Sequence, residues 1–158
     1  MGMRRTKQTD YLFVFIQLIL FVIYFVIPAG KPFTDIIYYT YFGTVILFTG
    51  VFLIMAALIQ LNKNISALPT PVTNAQLITT GVFKFIRHPI YSGIFLSAFG
   101  FGVFMEDVGK MFLSIILLLF FDMKSNYEEE KLKEKFPGYT LYQNRTGKFT
   151  PPFFKSKS

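Results

Sequence analysis

The feature that most restricts this chain is a run of 26 residues, Ile36 to Leu61, in which Gln60 is the only strongly polar member. At about 1.5 Å per residue, a helix of that length exceeds the roughly 30 Å hydrocarbon core of a bilayer, so it must tilt or project. A second run, Tyr11 to Pro28, has 18 residues broken only by Gln17, and it follows Arg4, Arg5 and Lys7. A secretory signal has a basic start of this kind, but its apolar centre is about 7–15 residues long and ends in a small-residue cleavage site. Ile27-Pro28-Ala29-Gly30-Lys31 is a poor cleavage site, so the run reads as a retained signal-anchor helix. Two further runs are shorter: Ile90 to Met105, with 16 residues, and Val108 to Phe121, with 14 residues that include Lys110 and Ser114 and end at Asp122. Neither spans comfortably alone, and together they suit a tilted or thinned hairpin packed on the first two helices.

The basic residues sort by side. Four crossings put Arg4, Arg5, Lys7, Lys63, Lys84, Arg87 and the eight lysines and arginines after Phe121 on one face of the membrane. The other face receives only Lys31 and Lys110. This is a strong positive-inside asymmetry. It predicts cytoplasmic termini, a cytoplasmic middle loop and an address in the cell inner membrane. It also accounts for the net charge of +7 through anionic headgroups rather than nucleic acid, at about 1 kcal/mol per well-placed basic residue. Composition agrees: 53% of residues are hydrophobic and 16% charged, against roughly 45–50% and about 25% in soluble domains. With no cysteine and one histidine, thiolate chemistry, Cys-ligated metal and His-paired metal sites are excluded, and no metal partner is expected. The expected fold class is therefore an all-α integral membrane protein with about four transmembrane helices, its last helix extending into the cytosol. Residues 1–158 form a single membrane-embedded domain, of which 1–61 are an N-terminal two-helix part.

Polar groups suited to chemistry gather in two places, both on the basic side. The first is Arg87-His88-Pro89-Ile90-Tyr91-Ser92-Gly93. Proline favours the first helical position and pushes its predecessor out of helical geometry, so His88 is expected as an N-cap with Pro89 opening the third helix. Free backbone N–H groups there, with Arg87, make an anion-binding end. Taken alone, an Arg-His pair at a helix start is more often a headgroup anchor than a catalytic element. Gly93, Ser97, Ala98, Gly100 and Gly102 leave a smooth face for close helix packing. The second place continues the fourth helix: Lys124, Glu128, Leu132 and Phe136 are four apart and share one stripe, before Pro137-Gly138 stops the helix. Glu129/Lys133 and Lys131/Lys135 lie on other faces, where ordinary charged surface would suffice. Glu130 reads as solvated. Beyond the turn, Tyr139, Tyr142, Phe149 and Pro151-Pro152 form an aromatic tail suited to lie back over the loop.

These motifs, in this order over about 75–152, resemble the isoprenylcysteine carboxyl methyltransferase family with its phospholipid-methyltransferase relatives. The matching residues are Gln76-Leu77-Ile78-Thr79-Thr80-Gly81-Val82-Phe83, then R-H-P-x-Y-x-G from Arg87 to Gly93, then Glu128-Glu129 with Leu132, Phe136, Tyr139 and Tyr142. The resemblance implies a membrane enzyme that transfers a methyl group from S-adenosylmethionine to a lipophilic substrate drawn from the bilayer. The substrate would be an isoprenylcysteine-like carboxylate, a phospholipid or another small hydrophobic acceptor. It places cofactor contacts on Ala75, Gln76, Leu77, Ile78, Phe83, His88, Pro89, Ile90, Tyr91 and Glu128, and a substrate-facing basic residue on Lys124. Two positions depart from the family pattern: Phe83 stands where tyrosine is frequent, and Lys124 where arginine is usual.

The residues also suit that cofactor's groups. A carboxylate fits the third helix's start and Arg87, an ammonium fits Glu128, and adenine fits among Leu77, Ile78 and Phe83. Catalytic candidates are Arg87, Lys124 and Glu129. A carboxylate nucleophile needs no base, whereas an amine must shed a proton, and then Glu129 matters. All of this requires that the starts of the third helix and the extension of the fourth converge, with His88 close to Glu128. Two rivals share parts of the pattern. One is an NADPH-dependent membrane sterol or steroid reductase, whose relatives are longer chains. The other is a non-enzymatic four-helix scaffold whose basic ends bind lipid.

Overall fold

The computed structural model describes residues 2–28, 30, 32, 37–61, 70 and 76–152, with the backbone alone for 2–7. Ala75, Lys31 and Lys63 lie outside the described residues. Five α-helices make up the described architecture: α1 (Gly2–Val26), α2 (Ile37–Leu61), α3 (Pro89–Phe104), α4 (Val108–Lys135) and α5 (Tyr139–Arg145). A single 3-10 turn, Gly81–Lys84, precedes α3. The N-terminal helix starts well before the apolar run, and Phe136 falls outside α4 as its C-cap. The expected stripe Lys124–Glu128–Leu132–Phe136 therefore loses its last member.

α1 and α2 are long, apolar and mostly uncovered, which separates them from the core helices of a soluble protein. Phe25, Tyr38, Phe52 and Ile59 are each more than 70% exposed. An outward apolar surface of this extent is stable only against lipid. The chain is thus an all-helical integral membrane protein. At 16 residues, α3 is about 24 Å long, short of the roughly 30 Å core.

α3 is held against α2 by backbone contact. Gly43, Gly50 and Ala57 repeat every seventh residue on α2 and are buried. A Cβ on Gly50 would stand 2.5 Å from the Ser97 nitrogen, and one on Gly100 would stand 2.4 Å from the Leu47 nitrogen. Small residues on both sides permit this approach. At the end of α2, Gln60 accepts a hydrogen bond from the Val82 amide (3.0 Å) and packs over Gly81, whose φ of 58° suits glycine. The polar end of α2 thus fixes the turn that leads to α3.

α1 packs on α4 instead. Tyr24, Leu117, Phe120 and Phe121 form the buried core, with Phe13, Ile16, Leu20 and Phe21 against it. The α3–α4 connection is tied to α1 by charge. Asp107 caps α4 by accepting from the Lys110 amide (3.0 Å) and also accepts from Gly30 N (3.0 Å). Lys110 donates to the carbonyl of Tyr24 (3.0 Å) and so caps the end of α1.

Candidate active site

The site is built where α3 begins and α4 leaves the apolar layer. His88 is the N-cap of α3 and Pro89 its first residue. The first helical bond runs from Ser92 N to His88 O, so the Ile90 and Tyr91 amides open the helix without an intrahelical acceptor. The His88 side chain makes no cap bond; it turns to α4 and lies between two carboxylates. Its Nδ1 is 3.6 Å from Glu128 Oε2 and its Nε2 is 3.0 Å from Glu129 Oε1. The two clusters distinguished in the sequence are therefore one cluster in space.

Glu128 is the member with the most room to act. The Tyr91 hydroxyl donates to its Oε1 at 2.5 Å, and its side chain keeps 15% exposure. Burial pushes its carboxyl above the usual range, only partly offset by His88, the Tyr91 hydrogen bond and Lys124. A half-buried carboxylate held up in this way favours an incoming cation or hydrogen-bond donor. The Tyr91 ring stacks on His88 (5.6 Å, 7°) and on Phe121 (4.6 Å, 5°), which orients the hydroxyl.

Glu129 differs from its neighbour. Its face was expected to be ordinary charged surface, yet the residue is only 4% exposed. Its Oε1 accepts from Arg87 Nε (2.7 Å) and its Oε2 from Gln143 Nε2 (2.5 Å). Burial alone would raise the carboxyl, but the hydrogen bonds and charges of His88 and Arg87 outweigh it and hold it at about 2. Both oxygens are thus engaged by neighbouring groups. The same contacts engage Arg87. Instead of facing an incoming anion, its guanidinium donates to Glu129, to the Gln143 carbonyl (3.1 Å) and to the Thr146 carbonyl.

Arg87 and Glu129 latch the C-terminal segment over the start of α3. Arg87 N donates to Gly147 O and His88 N to Lys148 O, while Ser92 Oγ donates to Phe149 O (2.8 Å). Tyr142 OH reaches the carbonyl of Phe83 (2.5 Å), so α5 also ties down the 3-10 turn. Burial raises Tyr142 to about 12 and Tyr139 further. The Tyr142 hydroxyl is structural.

Lys124 is buried, with Nζ 2.8 Å from Gln17 Oε1 and 5.3 Å from the Tyr91 ring centroid. Burial lowers its pKa against the pull of Glu128 and Asp10. Phe83 and Pro89 are buried and Ile90 half-buried. Leu77 and Ile78, half-buried, and Gln76, exposed, lie in irregular chain ahead of the 3-10 turn. Sequence reasoning missed Gln143 and the Thr146 carbonyl, which carry no motif. It also missed Asp10 and Gln17, although Asp10, Gln17 and Tyr24 repeat every seventh residue on α1, a legible polar stripe.

The chain has counterparts among known proteins. Over 88 residues the chain is 30% identical to the nickel-cobalt-cadmium resistance protein NccN of Alcaligenes xylosoxydans xylosoxydans, covering 54% of this chain and 41% of that protein. It is 28% identical over 100 residues to the protein-S-isoprenylcysteine O-methyltransferase of Schizosaccharomyces pombe, covering 61% and 42%. In structure it resembles the eukaryotic intramembrane Ras methyltransferase, isoprenylcysteine carboxyl methyltransferase. That likeness has a TM-score of 0.68 at 21% identity, covers 95% of this chain and 52% of that one, and is one of fold. The chain spans about half of these relatives' length or less. A phospholipid methyltransferase family model matches residues 39–138, from the start of α2 through the whole of α3 and α4, and the chain belongs to that family.

Proposed function

We propose that the chain is a membrane methyltransferase that takes its methyl group from S-adenosylmethionine and passes it to a lipophilic acceptor at the cytoplasmic face. The carrying observation is the convergence of α3's start and α4's extension, with Glu128 2.5 Å from the Tyr91 hydroxyl and 3.6 Å from His88. The residues present fit this donor. Glu128 is a half-buried carboxylate suited to its ammonium, and the Ile90 and Tyr91 amides suit its carboxylate. Phe83, with Leu77 and Ile78, supplies apolar surface for its adenine. When bound, S-adenosylmethionine supplies an electrophilic methyl group on a sulfonium, whose charge is discharged by the transfer.

The protein's own part is binding, orientation and exclusion of water. Tyr91, stacked between His88 and Phe121, holds Glu128 in one direction, and the Arg87–Glu129 latch keeps the 146–150 segment over His88. A site of this kind accelerates displacement by positioning the reacting groups in a poorly hydrated space. Lys124, on the bilayer side of Glu128 with Gln17 of α1, is assigned to the acceptor's end of the site. The excess of basic residues on the Arg87 side supports cytoplasmic termini and a cytoplasmic site.

Isothermal titration of the purified chain tests the reading. Micromolar binding of S-adenosylmethionine with none of NADPH is expected, and His88→Ala is expected to abolish it while the protein still inserts and folds. Binding of NADPH alone would overturn the reading in favour of the reductase.

A further inference from the structure

The polar stripe on α1 reaches three different partners. Two of its members fasten the helix. The Tyr24 hydroxyl donates to the Ala98 carbonyl of α3 (2.6 Å), and Asp10, only 2% exposed, is hydrogen-bonded to Tyr127 of α4. Lys110 holds the C-terminal end of the same helix. Gln17 serves a different group. It is the only strongly polar residue between Tyr11 and Pro28, it is half-buried, and its Oε1 accepts from the Lys124 ammonium at 2.8 Å. A polar side chain within a lipid-spanning helix is costly and marks a functional contact by default.

What that contact does follows from the position of Lys124. It lies one turn before Glu128 on α4, where side chains four apart are neighbours and opposite charges pair. In a poorly hydrated space such a pair is strong. It would fill Glu128 with the chain's own cation and close the subsite that suits the ammonium of S-adenosylmethionine. The surroundings of Lys124 oppose that collapse. Gln17 draws Nζ toward α1, and the Tyr91 ring takes the ammonium over its face, 5.3 Å from the centroid. Glu128 is engaged instead by the Tyr91 hydroxyl at 2.5 Å and by His88 at 3.6 Å. Its carboxyl stays raised by burial, which is the mark of incomplete neutralisation. One ring thus separates the cation, held over its face, from the carboxylate, held at its hydroxyl.

We propose that Gln17 is a positioning residue of this site: by anchoring the Lys124 ammonium to α1 it keeps Lys124 from pairing with Glu128, and so holds the cofactor's ammonium subsite open. The inference rests on the methyltransferase reading and adds to it a residue of α1, a helix that lies outside the family match of 39–138. Gln17 acts through Lys124 rather than on the reacting groups.

The test titrates S-adenosylmethionine into the full chain in phosphatidylcholine nanodiscs and records the thermal midpoint of each variant. Gln17→Leu removes the acceptor oxygen and suits the lipid. Its affinity is expected to fall about tenfold, as for one competing charge-assisted contact, while the midpoint holds or rises. In a Lys124→Met background, which lacks the competing cation, the same substitution is expected to leave affinity unchanged. Gln17→Glu keeps an acceptor oxygen on the ammonium and is expected to bind as the wild type does. Full affinity in Gln17→Leu overturns the proposal. So does a loss that persists in the Lys124→Met background, because Gln17 would then act on helix packing rather than through Lys124. A midpoint that falls together with affinity in Gln17→Leu, or an equal loss in Gln17→Glu, overturns it as well. A wild type that fails to bind S-adenosylmethionine at all would instead overturn the methyltransferase reading on which the proposal stands.

Discussion

The α3–α4 hairpin carries a buried charged cluster at each end, and the two are built differently. At the short connection, Asp107 accepts from the amides of Gly30 and Lys110, and Lys110 caps the carbonyls of α1. Burial would raise the Asp107 carboxyl, but those backbone N–H groups and the Lys110 charge outweigh it and hold it below the usual range. At the other end Glu129 is equally satisfied, while Glu128 beside it is raised by burial. A cluster in which every acceptor is filled stabilises; a cluster that leaves a buried carboxylate poorly neutralised has binding capacity in reserve. The opposite directions of the Asp107 and Glu128 shifts thus separate a clasp from a site.

Breaking the latch should have the largest effect. Arg87→Met strands Glu129 as a buried carboxylate without its principal cation, and a loss of about 3–5 kcal/mol is expected in chemical denaturation. The same pair sets an acid limit. The folded Glu129 carboxyl is held at about 2, well below the ordinary glutamate range, so its contribution to stability is complete above the unfolded pKa. It is lost as pH falls through the folded one, and the thermal midpoint of the wild type should drop between those limits more steeply than that of Glu129→Gln.

Glu128→Gln should sharpen the contrast. Affinity for S-adenosylmethionine should fall by roughly 2 kcal/mol, or about 30-fold by titration. At neutral pH the thermal midpoint should hold or rise, because a carboxyl raised by burial opposes folding above its folded pKa. In the wild type that burden grows as pH rises through that value, and the variant should lack the drift. A midpoint that falls with the affinity would make Glu128 a structural group like Asp107. The smallest effect belongs to the clasp: Asp107→Ala should cost about 1 kcal/mol in stability, as for loss of a helix cap, with cofactor affinity unchanged.

Much of the fold was legible because membrane helices announce themselves locally. The apolar runs gave α2 and α3 to within one residue at each end and the start of α4, whereas α1 begins nine residues before its run; Pro89 and Pro137 marked a start and a stop. His88 as N-cap, and its approach to Glu128, followed from the same local rules and the motif order. The division of labour between adjacent glutamates was not legible. Glu129 and Lys133 are a turn apart and look like a surface pair, and only the return of the 146–150 segment buries Glu129 under Arg87. Gln143 escaped notice because an isolated amide in a polar tail carries no pattern.

The sequence by itself determined which segments lie in lipid, since hydropathy and side-chain spacing act along the chain and need no partner. The small-residue face of α3 marked that helix for close packing too, but only the fold shows that its partner is α2. Tertiary structure alone decided which charges are filled and which are left open. Desolvation and hydrogen bonding depend on what stands opposite in space, so Glu128, Glu129, Asp107 and Asp10, four carboxylates much alike in the sequence, take different roles once the helices close around them.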